Sequence, residues 1–320
     1  MIDPTADNAA FRFVQRIPDT QLGLRLMHCL AYANLGRTPS NITIERAAIH
    51  GKTGHSIPIT IARPKAERDG LPILLHFHGG GYAIGAPRQD IGLFSRLIDA
   101  APCIIIAPHY RRSFQARYPA ALEDCYDVLC WVRDNAVQLG GRADQIMVMG
   151  ESAGGGLAAA ICIAARDRGD VNIAAQFPLY AMLDNRTTST NLALNDLSWT
   201  PGKNKLAWDL YVGPEDKDMP ATAVPARTDN LAKLPPAIGF VGSCDLFMQE
   251  NIAYFTALET AGVQTNFKLI DGAYHGVEVF APDSNSGRIA MDYLLTMFEK
   301  SVKSHFAPQK EKQMTQKARS

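Results

Sequence analysis

The sequence predicts an α/β fold, a mostly parallel eight-stranded sheet with helices on both faces and a helical cap. Three observations predict it. From residue 73 onward, short apolar runs alternate with helical patterns, as parallel strands joined by helical crossovers do. Before them, residues 42–61 alternate apolar and other residues like an antiparallel hairpin. Later, a polar, proline-containing stretch at 184–226 interrupts the alternation and is too long for a plain connection.

The first forty residues place Phe11, Phe13, Val14, Ile17, Leu22, Leu26, Leu30 and Leu35 at roughly helical spacing. Residues 1–40 are therefore expected to form N-terminal helices. Ile42 and Ile44, then Ile57, Ile59 and Ile61, mark two half-buried strands, with Gly51, Gly54 and His55 in the turn. Ile73–His78, Cys103–Ala107, Ile146–Met149, Ile173–Leu179, Ala237–Val241 and Thr265–Ile270 are the remaining strands. Helices are expected over Gln89–Ala100, Ala120–Leu139, Ala153–Arg166, Phe247–Ala261 and Gly287–Lys300. The core thus spans residues 41–183 and 227–300. Residues 184–226, carrying Trp199 and Trp208, form a cap insertion, and 301–320 read as a disordered, polar and basic tail.

Composition bounds the function. With 47% hydrophobic residues the chain can bury a substantial core, and 32 basic against 32 acidic residues leave no long-range field for nucleic acid. The N-terminus lacks a basic region followed by an apolar run, and no stretch reaches the ~18 apolar residues of a membrane span. Cys29, Cys103, Cys125, Cys130, Cys162 and Cys244 are scattered, without C-x-x-C spacing or a histidine cluster. Reduced thiols, a cytoplasmic location and neither metal nor cofactor are the expectation. An exposed edge strand leaves a homodimer open.

The chemistry sits in four segments. Gly150-Glu151-Ser152-Ala153-Gly154 fits G-x-S-x-G between a strand and a helix, the context in which a sharp turn lifts a serine hydroxyl above a sheet. That pattern alone would arise by chance about 0.1 times in such a chain. His78-Gly79-Gly80-Gly81 directly follows another strand, and its chance expectation is about 0.004. A glycine run lets backbone N–H groups converge on one point. A phosphate loop would continue Lys-Ser/Thr, whereas Tyr82-Ala83-Ile84 follows here. Gly80, Gly81 and the N–H of Ala153 are therefore expected to hold an oxyanion.

A serine nucleophile needs a base, and in such turns the acid and then the histidine follow the serine in sequence. Of the two histidines after Ser152, His275 follows a core strand, whereas His305 lies near the tail. Asp245 also follows a core strand and is the expected acid. Its rival Asp271 comes off the same strand as His275. Tyr82, Phe11, Phe13, Trp199, Trp208, Tyr211 and Val277 are the candidates for a substrate pocket, lid packing being the alternative for the cap aromatics.

Together the H-G-G-G loop at His78–Gly81, the G-E-S-A-G-G segment at Gly150–Gly155 and the Asp245 and His275 segments resemble the hormone-sensitive-lipase-like family of α/β-hydrolases, which includes many bacterial esterases. Tyr110-Arg111 and the run Tyr118–Asp124 look like that family's intervening stretch. The resemblance implies the α/β-hydrolase fold, a cap combining N-terminal cap helices at 1–40 with the insertion at 184–226, and a serine carboxylesterase acting on small to medium acyl esters. Three positions depart from its usual pattern: Arg112–Arg117 replaces a Leu-Ala-Pro-Glu run, Leu246 stands for proline, and Val277 for an aromatic residue. An amide or N-acetyl hydrolase with the same triad remains open, as does a non-catalytic small-ligand receptor.

Overall fold

The computed structural model describes residues 1–33, 38–66, 68–187, 197–213 and 218–310. The expected positions Leu35 and Pro214, with residues 188–196 of the insertion and 311–320 of the tail, lie outside the described residues.

One eight-stranded sheet runs in the order β1 (Ile42–His50), β2 (Ser56–Pro64), β4 (Ile104–Pro108), β3 (Leu71–Phe77), β5 (Gly141–Glu151), β6 (Ala175–Leu179), β7 (Ala237–Cys244) and β8 (Thr265–Tyr274). The β1–β2 and β2–β4 pairs are antiparallel, and every later pair is parallel. Every residue of β3, β4 and β6 is buried, because helices cover both faces of the sheet's middle. Alternation along β3 divides the core. Ile73, Leu75 and Phe77 join one apolar cluster, while Leu74 joins another.

The first cluster is closed by α4 (Ala120–Asn135), α5 (Ala153–Arg168) and α7 (Met248–Thr260). The second is closed by α3 (Ile91–Ala100) and α9 (Asn285–Ser304) through Phe94, Leu97, Met291, Leu294 and Phe298. Each such side chain contributes roughly 1.5–3 kcal/mol on burial. Helix α5 is buried from Ala153 to Ala165, and its small residues let it lie close against β5 and β6. Asp124 on α4 receives a fork of hydrogen bonds from Arg111 and one contact, at 2.6 Å, from His55. This pair anchors the Tyr110-Arg111 stretch to α4.

Above the sheet lie α1 (Ala9–Gln15), α2 (Gln21–Ala33) and α6 (Pro201–Tyr211). Thr200 caps α6 through Lys203 N and also donates to Asp19 Oδ1 at 2.8 Å. The fully buried Lys203 ammonium pairs with Asp19 Oδ1 at 3.0 Å, joining the N-terminal segment to the insertion.

The tail departs from expectation. Residues 301–304 complete α9, and 305–310 lie along the core. Ala307 N donates to Asp144 O, and the Gln309 amide reaches Ala143 O, Asn172 O and Asn172 N. Polarity here reflects hydrogen bonding to backbone rather than solvation. Two boundaries also move: α4 ends at Asn135, and β5 begins at Gly141.

Candidate active site

Three loops at the C-terminal ends of the parallel strands β5, β7 and β8 meet above the sheet. Between β5 and α5 the chain turns at Ser152, which has φ 56° and ψ −119°. A side chain in so sparsely populated a conformation costs on the order of 1–3 kcal/mol. Ser152 N donates to Leu179 O at 3.0 Å, and Ser152 O accepts from Met182 N at 2.9 Å and from Gly156 N at 3.0 Å. These bonds hold the turn. The motif's last glycine is required by close approach, since a Cβ on Gly154 would sit 1.9 Å from Phe77 O.

Ser152 Oγ lies 2.9 Å from His275 Nε2, and His275 Nδ1 lies 2.9 Å from Asp245 Oδ2. With the carboxylate ionised, the Nδ1 proton is donated to Asp245, leaving the Nε2 lone pair for the serine hydroxyl. Asp245 Oδ1 accepts from Phe247 N at 2.9 Å, which fixes the carboxylate. The edges of Tyr180 and Phe247 meet the imidazole at 5.0 and 5.1 Å between centroids. Asp271, the rival acid, is exposed and accepts from Ser243 instead. His305, the rival base, caps α9 at the far end of that helix.

The glycine loop lies beside this line. Tyr110 stacks on His78 at 4.2 Å and donates to His78 O at 2.8 Å. Burial pulls the His78 pKa down to about 3, so the ring stays neutral and its Nδ1 proton goes to Gly79 O. Among the described residues, the N–H groups of Gly80 and Gly81 have no acceptor, and Ala153, first in α5, has none within the helix. Side chains cap α1, α6 and α9 but not α5, so its positive end faces the site. Gly81 has φ 58°, and a Cβ there would fall 2.7 Å from Trp199 Cη2. Trp199 thus closes over the loop, 6.4 Å from the His275 ring. The arrangement can raise the nucleophilicity of a hydroxyl and accept negative charge developing on a nearby oxygen.

The expected aromatic wall divides in two. Tyr82, Trp199, Trp208 and Tyr211 are all buried in the cluster beside α4 and α5, with Tyr82 stacked on Tyr211 at 3.8 Å. Phe11 instead stacks on Tyr274 at 4.1 Å in the opposite cluster, which also holds Val277, and Phe13 is half exposed. Amphipathic spacing identified Phe11 as inward-facing without saying which side of the sheet it meets.

Several partners went unread in the sequence. Ser198 Oγ donates to His275 O at 2.7 Å. Behind His275, Tyr180 donates to Glu278, whose pKa burial pushes up to about 7. Glu250 Oε1 accepts from Leu183 N at 2.7 Å, and burial raises its pKa to about 8. His76 Nε2 meets Glu151 Oε1 at 2.9 Å. Single carboxylates and histidines in apolar runs carry no spacing signal that would have exposed these contacts.

A family model described as alpha/beta hydrolase fold matches residues 74–279. Carboxylesterase NlhH of Mycobacterium tuberculosis is 31% identical over 242 residues, covering 70% of this chain and 72% of that protein. The acetyl-hydrolase of Streptomyces hygroscopicus is 31% identical over 266 residues, covering 82% and 83%. Among solved structures, a bacterial heroin esterase superposes with a TM-score of 0.85 at 27% identity, over 95% of this chain and 98% of that one. The chain belongs to the alpha/beta hydrolase fold family, in its hormone-sensitive-lipase-like branch.

Proposed function

We propose that the chain is a serine carboxylesterase hydrolysing short- to medium-chain carboxylic esters through an acyl-enzyme. The single observation that carries this is the hydrogen-bonded line from Asp245 through His275 to Ser152, set beside the N–H groups of Gly80, Gly81 and Ala153. Ser152 Oγ attacks the ester carbonyl carbon as His275 Nε2 takes its proton. The carbonyl electrons move onto oxygen, where the three N–H groups stabilise the charge. Collapse releases the alcohol with the proton from His275. Water then attacks the acyl-enzyme, giving up a proton to His275, and the acid leaves as Ser152 is restored.

The acyl range is supported by Tyr82, Trp208 and Tyr211, which fill the space beyond the glycine loop, and by the acetyl-hydrolase among the relatives. Six free thiols support a cytoplasmic setting, where cysteines stay reduced. The exposed edge of β8, with Leu269 half exposed, supports a homodimer.

Hydrolysis of p-nitrophenyl acetate, butyrate, octanoate and palmitate by wild type and Ser152→Ala tests the assignment. Wild type should turn over the first two fastest and palmitate not at all, with every activity lost in the variant. Comparable rates for the two proteins would sink it. A matched p-nitroanilide that outruns its ester would move the assignment to an amide hydrolase.

A further inference from the structure

The glycine loop begins and ends on one buried side chain. His76 lies on β3 just before the loop, and Asp90 lies on the 3-10 turn Pro87–Asp90 that follows it. His76 Nε2 is 2.9 Å from Glu151 Oε1, and Nδ1, on the other side of the ring, is 3.9 Å from Asp90 Oδ2. Glu151 is the residue before Ser152. The imidazole is fully buried and edged by Phe94 at 4.9 Å. Among the described residues, Asp90 and Glu151 form ion pairs with His76 alone.

The Nε2 contact with Glu151 is a hydrogen bond, whereas Nδ1 and Asp90 Oδ2, too far apart for one, face each other as an ion pair. Burial alone would lower the His76 pKa, but the charge of Glu151, its hydrogen bond and the charge of Asp90 raise it. Burial and the charge of Glu151 push the Asp90 carboxyl well above its usual range, so Glu151 is the stronger charged partner of His76, with Tyr180 and Glu278 nearby.

We propose that His76 is a positioning residue, bridging Asp90 and Glu151 so that both ends of the oxyanion loop stay registered against the nucleophile turn. This rests on the esterase reading. The N–H donors of Gly80 and Gly81 act only where the oxyanion forms, at separations of about 2.7–3.1 Å. A misplacement near 1 Å can cost about 10²-fold in rate. Replacing a whole buried ion pair by apolar residues is often neutral, whereas removing one partner alone is destabilising, so the variants' rates are compared at a temperature where each is folded.

The test compares His76→Leu, His76→Gln and Glu151→Ala with wild type. Two rates are measured: ester turnover, and phosphonylation of Ser152 by a fluorophosphonate followed by intact mass. His76→Leu should melt several degrees below wild type, lose about 10- to 100-fold in kcat and in phosphonylation rate at a temperature where it is folded, and keep KM within about threefold. His76→Gln retains a donor towards Glu151 and should recover most of the loss. Glu151→Ala should reproduce the Leu phenotype, and it decides the matter if His76→Leu does not fold. Phosphonylation within twofold of wild type in Glu151→Ala or a folded His76→Leu would overturn the proposal, as would a Gln variant no better than Leu. If wild type reacts with the phosphonate but cleaves no ester, the esterase reading fails while the positioning role is still decided.

Discussion

The floor and the roof of the site are built by different means. The floor is backbone: the Ser152 turn, the glycine loop and the open start of α5, each held by main-chain hydrogen bonds. The roof is side chain: Trp208 and Tyr211 from α6 and Trp199 two residues before it, with α2 packed alongside. A backbone arrangement admits few residue types, as the 1.9 Å approach of a Cβ on Gly154 to Phe77 O makes plain. A side-chain wall tolerates many shapes of similar volume. Chemistry should therefore be brittle to substitution, and substrate range adjustable.

The largest effect should follow from the acid that orients the imidazole above this floor. Asp245→Asn should cut kcat by about 10⁴, because an amide favours the wrong imidazole tautomer. Steady-state kinetics on p-nitrophenyl butyrate measures this, and a loss below tenfold would reassign the acid. Next comes Gly81→Ala, where the left-handed φ of 58° and the 2.7 Å approach to Trp199 both oppose a methyl group. A drop of roughly 10- to 100-fold in kcat is expected, partly recovered in the double variant with Trp199→Ala, as a double-mutant cycle would reveal. Trp199→Ala alone should act on the roof. The ratio of octanoate to acetate kcat/KM should rise several-fold, with kcat on acetate within about tenfold of wild type. An unchanged ratio would mean that this ring guards no part of the acyl path.

The smallest effect concerns stability. Glu250 holds its proton up to about 8 in the folded protein, burial being the main cause, against an ordinary value of 4.5. The unfolded chain releases that proton near 4.5 and the folded one near 8, so this group's contribution falls as pH rises between them. Glu250→Gln removes the dependence while keeping an acceptor for Leu183 N. The melting temperature of the variant, relative to wild type, should increase from pH 5.5 to pH 8.5. Each tenfold difference in proton affinity is worth about 1.4 kcal/mol, so a flat difference across that range would contradict the assignment.

The same division explains what the sequence disclosed. Strands β3, β4 and β6 were legible because burial on both faces forces continuous apolar runs. The nucleophile turn and the glycine loop were legible because only glycine fits their close approaches. Residues 305–310 were misread because Gln309 and Asn172 are polar yet fully engaged with each other and with backbone carbonyls. Phe11 and Tyr211 look alike in sequence, and only the sheet between their clusters separates them. The bridge of Asp90, His76 and Glu151 unites residues from three elements, and composition carries no trace of such a meeting.

The pairing of Lys203 with Asp19 bears on how such enzymes could exchange parts. The two pieces that cover the site stand some 180 residues apart in the chain, yet the buried ammonium of one depends on the carboxylate of the other. A recombinant that imports one piece from a relative without its counterpart would strand a charge in the interior, at a cost of about 3–5 kcal/mol. Shuffling experiments should therefore move residues 1–40 and 184–226 together.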